Sequence, residues 1–157
     1  MSTAAIVTLL VRYLLVMLFL PFSALDKVIG FEGAVRQAQE VFKPRVLAAA
    51  VLLCGLAIEV VASIGVVTGV ADRLAALVLA AYCAATALLY KRFWQPGDFW
   101  AAGDSKGRTL FWDFLKNFSL GAGFLLIVIG TNGSGLWPFL THPLASSHPY
   151  ALLSGAG

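Results

Sequence analysis

The chain has 157 residues, of which 60% are hydrophobic and 12% charged, with a net charge of +3. A soluble domain carries about 25% charged residues, so this composition and a mean hydropathy of +0.87 exclude that class. They leave an integral membrane protein, each of whose helices needs about 20 apolar residues to cross the hydrocarbon. The positive charge is no sign of a nucleic-acid partner, because the basic residues fall in connections beside the apolar runs, where membrane orientation accounts for them.

The first apolar run covers residues 6–25 and contains Arg12. It reads as a retained helix rather than a cleaved signal. No Lys or Arg precedes it, Arg12 interrupts it, and Phe22-Ser23-Ala24 puts a bulky ring where a cleavage site prefers a small residue. Beyond it, Val28, Phe31, Val35, Ala38 and Phe42 recur at steps of three and four, which predicts a short helix with one apolar face. The other face carries Glu32, Arg36, Gln37, Gln39, Glu40 and Lys43. Such a helix suits the headgroup plane on the cytoplasmic side; a docking face for a partner protein is the alternative.

The second span, residues 46–67, is entered through Pro44 and holds Glu59. The short turn Thr68-Gly69-Val70-Ala71-Asp72 makes the third span, residues 73–90, its antiparallel neighbour. The next connection is rich in aromatic side chains: Phe93, Trp94, Phe99 and Trp100, with Phe111 and Trp112 just beyond. Rings of this kind collect at bilayer interfaces; the sharper alternative is that they line the mouth of a quinone or lipid site. The fourth span, residues 110–130, carries Asp113, Lys116 and Asn117 on one side of its first turns. The tail, residues 131–157, opens on the helix-terminating Thr131-Asn132-Gly133-Ser134-Gly135. With Trp137, several prolines, His142 and His148, it is expected to be poorly ordered and to skim the membrane; metal or haem ligation by the histidines is the alternative. The predicted fold is a single all-α domain, an antiparallel four-transmembrane-helix bundle with an amphipathic interfacial helix between spans 1 and 2.

A charge at the centre of a membrane helix costs about 3 kcal/mol on insertion scales, so each one retained has a reason. Arg12 lies roughly 9 Å below the outer end of span 1, and Glu59 roughly 12 Å below the same face of span 2. Those depths predict an Arg12–Glu59 pair facing the bundle interior, either as a structural ion pair or as a polar site for a proton or a headgroup. Gly55, Ala62 and Ser63 share the Glu59 stripe, and small residues allow close helix approach. A second polar cluster is expected near the cytoplasmic face from Asp26, Lys27, Asp113, Lys116 and Asn117, with snorkelling of Lys116 as the alternative. Cys54 and Cys83 form no C-x-x-C pair; they fall at matched depths on adjacent helices, roughly 10–12 Å from the cytoplasmic face. They read as small hydrophobes, with a redox role as the minor alternative.

Positive residues mark the cytoplasmic side. Lys27, Arg36, Lys43, Arg45, Lys91, Arg92, Lys106 and Arg108 flank the first and third connections, against Arg73 alone on the other side. Both connections are therefore expected in the cytoplasm and both termini in the periplasm.

Three ordered stretches resemble the DoxX family of small bacterial membrane proteins. Arg12, Phe19 and Leu25-Asp26-Lys27 are similar to its Arg, Phe and Gly-x-x-Lys pattern, with Ala24 where the family usually has Gly. Glu59, then Gly69 and Arg73 with Leu74-Ala75-Ala76, form the second stretch. Lys116-Asn117-Phe118 followed by Gly121 and Gly123 is similar to its Lys-Asn signature. The resemblance covers most of residues 12–126 and implies a four-helix bundle in the bacterial inner membrane. It also implies association with redox systems, since relatives resemble the small subunit of a thiosulfate:quinone oxidoreductase or accompany sulfurtransferase and superoxide-detoxifying enzymes. The expected function is therefore an accessory subunit of a respiratory or quinone-linked oxidoreductase. Such a subunit would have no intrinsic cofactor, would share a quinone or lipid site, and would meet lipid and either a larger complex or further copies of itself. A quinone-reactive thiol or sulfur oxidoreductase, and a small transporter or scaffold, are the competing expectations.

Overall fold

The computed structural model describes residues 3–130 and 135–150. Among them there is no strand, and four helical units are long and apolar enough to cross a membrane: Thr3–Ile29, Arg45–Thr68, Asp72–Tyr90 and Lys106–Ile129. The four-helix membrane bundle read from hydropathy is the fold. Ile6, Leu10, Leu14, Val61 and Leu126 are each more than half exposed, as side chains facing lipid are.

The first crossing is not one straight helix. It comprises α1 (Thr3–Val16), a π-helical turn (Leu18–Ser23) and α2 (Ala24–Ile29). Pro21 has no amide hydrogen to donate, and Leu20, at φ −125° and ψ 111°, leaves the helical region, so the crossing kinks there. It also runs to Ile29 rather than ending near residue 25. Below the kink, Ser23 and Lys27 stand four residues apart and both reach Glu59 of the second crossing.

The amphipathic segment forms α3 (Phe31–Gln39), whose apolar stripe has a different destination from lipid or a partner. Val35 and Ala38 are buried against Ala48 of α4 (Arg45–Thr68), with Phe31, Phe42 and Leu52 around them. The middle of the stripe is covered by the chain's own second crossing, while Val28 at its start stays 59% exposed.

Helix α4 ends at Gly69, whose φ of +81° is cheap only for glycine. The turn leads to α5 (Asp72–Tyr90), which packs on both α4 and α6 (Lys106–Ile129). A stripe of small buried residues, Ala76, Ala80, Cys83 and Ala87, lets α6 come close. A Cβ on Gly121 of α6 would sit 3.5 Å from both the Ala80 carbonyl and the Cys83 side chain. Val16, Phe19, Leu79, Phe124 and Val128 complete the core.

The connection between α5 and α6 is folded onto the start of α6. Asp98 accepts hydrogen bonds from the Lys106 and Gly107 amides, both at 2.8 Å, and the Ser105 hydroxyl accepts from the Arg108 amide. These satisfy donors that the first turn of a helix leaves open. The Gly107 amide, above all, and the Lys106 amide hold the Asp98 carboxyl below its ordinary pKa. Arg108 donates to the carbonyls of Phe99, Ala101 and Gly103, drawing the connection around its guanidinium.

The tail is docked where it is described. Helix α7 (Trp137–Thr141) places Phe139 in the core, and the chain then crosses the α4–α5 turn. Ser147 bonds Asp72, the Tyr150 hydroxyl donates to the Val67 carbonyl, and Pro149 lies against Gly69. The expectation of a poorly ordered tail is corrected for residues 135–150: hydrogen bonds and one apolar anchor fix it. Residues 131–134 of the expected helix terminator lie outside the described residues; α6 itself ends at Ile129 with Gly130 at φ +80°.

Candidate functional site

Side-chain direction decides which intramembrane charges meet. Every Cα–Cβ bond of a helix leans toward its N-terminus. Arg12 therefore climbs toward the end that carries the α4–α5 turn, and its Nη1 donates to Asp72 Oδ2 at 2.7 Å and to the Val66 carbonyl at 2.8 Å. Its Nη2 donates to Ser147 Oγ at 3.1 Å. Asp72 is fully buried, and its other oxygen accepts from the Ser147 amide at 2.8 Å. The expected Arg12–Glu59 pair is thus corrected: matching the two by depth ignored the direction in which the arginine points. Burial of the Tyr150 phenol beside this cluster raises its pKa above the ordinary value.

Glu59 takes Lys27 instead. Lys27 lies on α2 near the basic end of the bundle, and the same lean aims its ammonium inward, 2.7 Å from Glu59 Oε1. Tyr82 of α5 donates its hydroxyl to the same oxygen at 2.8 Å, and Ser23 donates at 3.1 Å while accepting from Lys27. Glu59 Oε1 thus receives three donors. Glu59 Oε2 is buried and has no hydrogen-bond partner among the described residues. Gly55, one turn before Glu59, makes room for the phenol: a Cβ there would lie 3.1 Å from the Tyr82 oxygen.

This centre lies on the wall of a cavity of about 540 Å³. The cavity reaches from Asp26, Gln37, Tyr90 and Lys91 to Glu59 and Tyr82, between apolar walls that include Phe19, Leu52 and Ile58. Thr86 and Asn117 also line it, and the Asn117 amide donates to the Thr86 hydroxyl at 3.4 Å. The kink at Pro21 and the folding of α3 onto α4 frame this space, with Phe19 and Ser23 on one side and Ala34 and Ala38 on another. A second hollow of about 500 Å³ shares Leu89 and Tyr90 with it and carries Arg92, Lys106 and Glu40.

The expected cluster of Asp26, Lys27, Asp113, Lys116 and Asn117 does not form as a unit. Lys27 turns inward to Glu59, exposed Asp26 and half-buried Asn117 line the cavity, and Asp113 bonds Lys91 at 3.2 Å and exposed Lys116 at 3.4 Å. Helix rotation separates them: Asn117 faces α5, whereas Lys116 points outward.

Phe93, Trp94, Phe99, Trp100 and Trp112 do not line the cavity. Phe93 packs edge-on against Trp94, Phe111 and Phe114, and Phe99 packs against Trp100 and Phe111. The Arg108 and Asp98 bonds hold this connection over α6, away from Glu59. Trp100 is 91% exposed, and Trp94 and Trp112 are also exposed, in position for interfacial lipid rather than an enclosed ligand.

Cys54 is exposed and on the cavity wall, while Cys83 is buried in the core. Among the described residues, which include His142 and His148, no group of three or more His, Cys, Asp or Glu side chains could hold a metal ion.

Sequence reasoning missed Ser23, Tyr82, Thr86, Asp72 and Ser147. The first three had a signal: Ser23–Lys27, Gly55–Glu59 and Tyr82–Thr86 are all i, i+4 pairs that put polar or small groups on one face of an apolar helix. Asp72 was visible only as a turn residue, and nothing local marks Ser147.

Fold and site together define a small polytopic helical membrane protein built around an amphipathic intramembrane cavity, with buried Glu59 bonded to Lys27 and Tyr82 on its wall. The DoxX family pattern matches residues 7–92, more than half of the chain, and the chain belongs to the DoxX family. It is 29% identical over 129 residues to the inner membrane protein YphA of Escherichia coli (strain K12), covering 82% of this chain and 86% of that protein. No solved structure matches it. Arg12, Lys27, Glu59, Asp72 and Tyr82 fall inside the matched span; Lys116 and Asn117 lie beyond it.

Proposed function

We propose that the protein is an accessory subunit of an inner-membrane, quinone-linked oxidoreductase system and that its cavity holds the head of a quinone-like lipid. The observation that carries this reading is the buried Glu59 centre on the wall of a cavity otherwise lined largely by apolar side chains. A volume of about 540 Å³ lies within the ~300–1,000 Å³ usual for small-molecule sites, which pair apolar walls with a few placed polar groups. The Lys27 ammonium and the Asn117 amide can donate to a carbonyl, and unpaired Glu59 Oε2 can accept from a hydroxyl. Such a ligand would bring the redox chemistry; the chain would bind and orient it and exclude water. The thiol alternative is weakened because Cys54 stands on the cavity wall without Cys83.

The relative's place in the inner membrane and the family's redox associations support the setting. Leaving aside Arg12, Lys27 and Lys116, which lie within the spans, seven basic residues at the α2–α4 and α5–α6 end, against Arg73 at the other, favour a cytoplasmic basic end and periplasmic termini. Photoreactive quinone applied to native membranes tests the reading. Label on peptides containing Ser23, Lys27, Glu59 or Tyr82, together with recovery of the chain in a larger redox complex, is the expected result. Label confined to the outer, lipid-facing surface of α1 and α6 would defeat it.

A further inference from the structure

We infer that the Glu59 centre selects ligands whose head carries a hydrogen-bond donor, so that the cavity takes the hydroxyl-bearing, reduced form of its quinone-like ligand in preference to the oxidised form. This rests on the cavity-binding reading above and adds a direction to it.

The argument is the asymmetry of one carboxylate. Oε1 of Glu59 accepts from Lys27, Tyr82 and Ser23, which saturates it. Oε2, on a side chain only 2% exposed, accepts from nothing among the described residues. A buried acceptor without a partner carries a desolvation penalty that an arriving donor removes and an arriving acceptor does not. A quinone carbonyl can only accept, so beside Oε2 it would set one acceptor against another. A hydroquinone hydroxyl donates, and its bond to a carboxylate is charge-assisted, the stronger class of hydrogen bond. The neighbouring donors do not reverse this preference. Tyr82 and Ser23 already give their single hydroxyl hydrogens to Oε1, while the third hydrogen of the Lys27 ammonium and the second of the Asn117 amide can be accepted by a quinone carbonyl or by a hydroquinone hydroxyl oxygen alike.

A charge-assisted hydrogen bond corresponds to an affinity ratio of about tenfold or more. Tenfold tighter binding of the reduced form would raise the midpoint potential of the bound two-electron couple by about 30 mV relative to the free couple.

The test uses the purified full-length protein in lipid nanodiscs under anaerobic conditions, with three probes of one skeleton: a decyl-substituted benzoquinol, the corresponding benzoquinone, and the benzoquinol dimethyl ether. The ether keeps the ring and tail but has no donor. The expected result is benzoquinol binding at least about tenfold tighter than both other probes, with the gap shrinking in Glu59→Gln. Because the ether comparison is made on the unaltered protein, it stands even where the variant does not fold. Equal affinity for all three, or a preference for the quinone, would overturn the inference while leaving cavity binding intact. Failure of all three to bind would overturn both.

Discussion

Whether Arg12 belongs to Asp72 or to Glu59 can be decided by coupling energies. The variants are Arg12→Met, Asp72→Asn and Glu59→Gln, singly and in the two pairs that include Arg12. Asparagine at 72 keeps an acceptor for the Ser147 amide, so the change isolates the lost charge. The Arg12 and Asp72 side chains are 10% and 0% exposed and 2.7 Å apart. Breaking a buried pair by removing one partner costs about 3–5 kcal/mol. Polar contacts within membrane bundles fall lower, averaging about 0.6 and reaching about 1.7 kcal/mol in double-mutant cycles. Arg12 also retains the Val66 carbonyl and the Ser147 hydroxyl as acceptors, which places the single Asp72→Asn cost near 3 kcal/mol, the lower edge of the first range. The Arg12/Asp72 coupling should then be about 1.5 kcal/mol, where the top of the membrane range meets the lower edge for hydrogen bonds to charged groups. The Arg12/Glu59 coupling should fall within about 0.5 kcal/mol of zero, as for residues with no shared partner. Reversible unfolding in mixed detergent micelles supplies the free energies. An Arg12/Glu59 coupling equal to or larger than the Arg12/Asp72 value would refute the assignment.

Further outcomes follow from single contacts. Gly65→Ala should destabilise by about 1–3 kcal/mol, because the new methyl would lie 2.9 Å from the Ala75 methyl and 3.1 Å from the Val70 carbonyl, neither of which can swing away; Ala75→Gly should restore part of the loss in the same unfolding assay. Gly55→Ala meets only the tip of Tyr82, so it should fold nearly normally yet displace the phenol from Glu59, visible as a changed tyrosine absorption difference spectrum. Ser147→Ala removes the hydroxyl that bonds both Arg12 and Asp72, and should speed proteolysis of the tail beyond Thr141. Asp98 is held below its ordinary pKa first by the Gly107 amide. Its cap therefore contributes fully above the titration of an unfolded aspartate and is lost as pH falls through the lowered folded value. Protection of the Lys106 and Gly107 amides from exchange, measured against their intrinsic rates at each pH, should fall over that acidic window, and in Asp98→Ala should be low at every pH.

The spans were legible because the bilayer's demand is local: a run of apolar residues either is or is not long enough, whatever its neighbours do. That Arg12 and Glu59 turn inward was legible for the same reason, since exposure of a charge to hydrocarbon is costly. Their partners were not. Pairing by depth treats a side chain as a point on the helix axis, whereas arginine and lysine extend well beyond it and lean toward the N-terminus. The kink also hid Lys27, because a straight helix ending at residue 25 leaves that ammonium in the interface. The aromatic connection misled for a different reason. Its rings carry an interfacial signature, but Asp98 and Arg108 bind backbone groups of α6 and of the connection itself, and composition records none of those bonds.

The two buried ion pairs are alike in sequence and opposite in consequence. At the α4–α5 end, both oxygens of Asp72 have partners, and Arg12 has a carboxylate, a carbonyl and a hydroxyl. Three crossings and the tail converge there, so the pair acts as a clamp, and adding a ligand would cost a bond already made. At Glu59, whose side chain lines the cavity, the three donors crowd onto one oxygen and leave the other buried and without a partner among the described residues. A purely structural pair has no use for that arrangement, since one donor shifted to Oε2 would remove the penalty of an unmet acceptor. What sets the donors on Oε1 is helix placement: Ser23 comes from the π-helical turn, Lys27 from α2 one turn on, and Tyr82 from α5 across the space above Gly55. The oxygen without a partner among the described residues is what the proposed ligand would meet at this end of the bundle, whereas the Arg12–Asp72 end offers no such group.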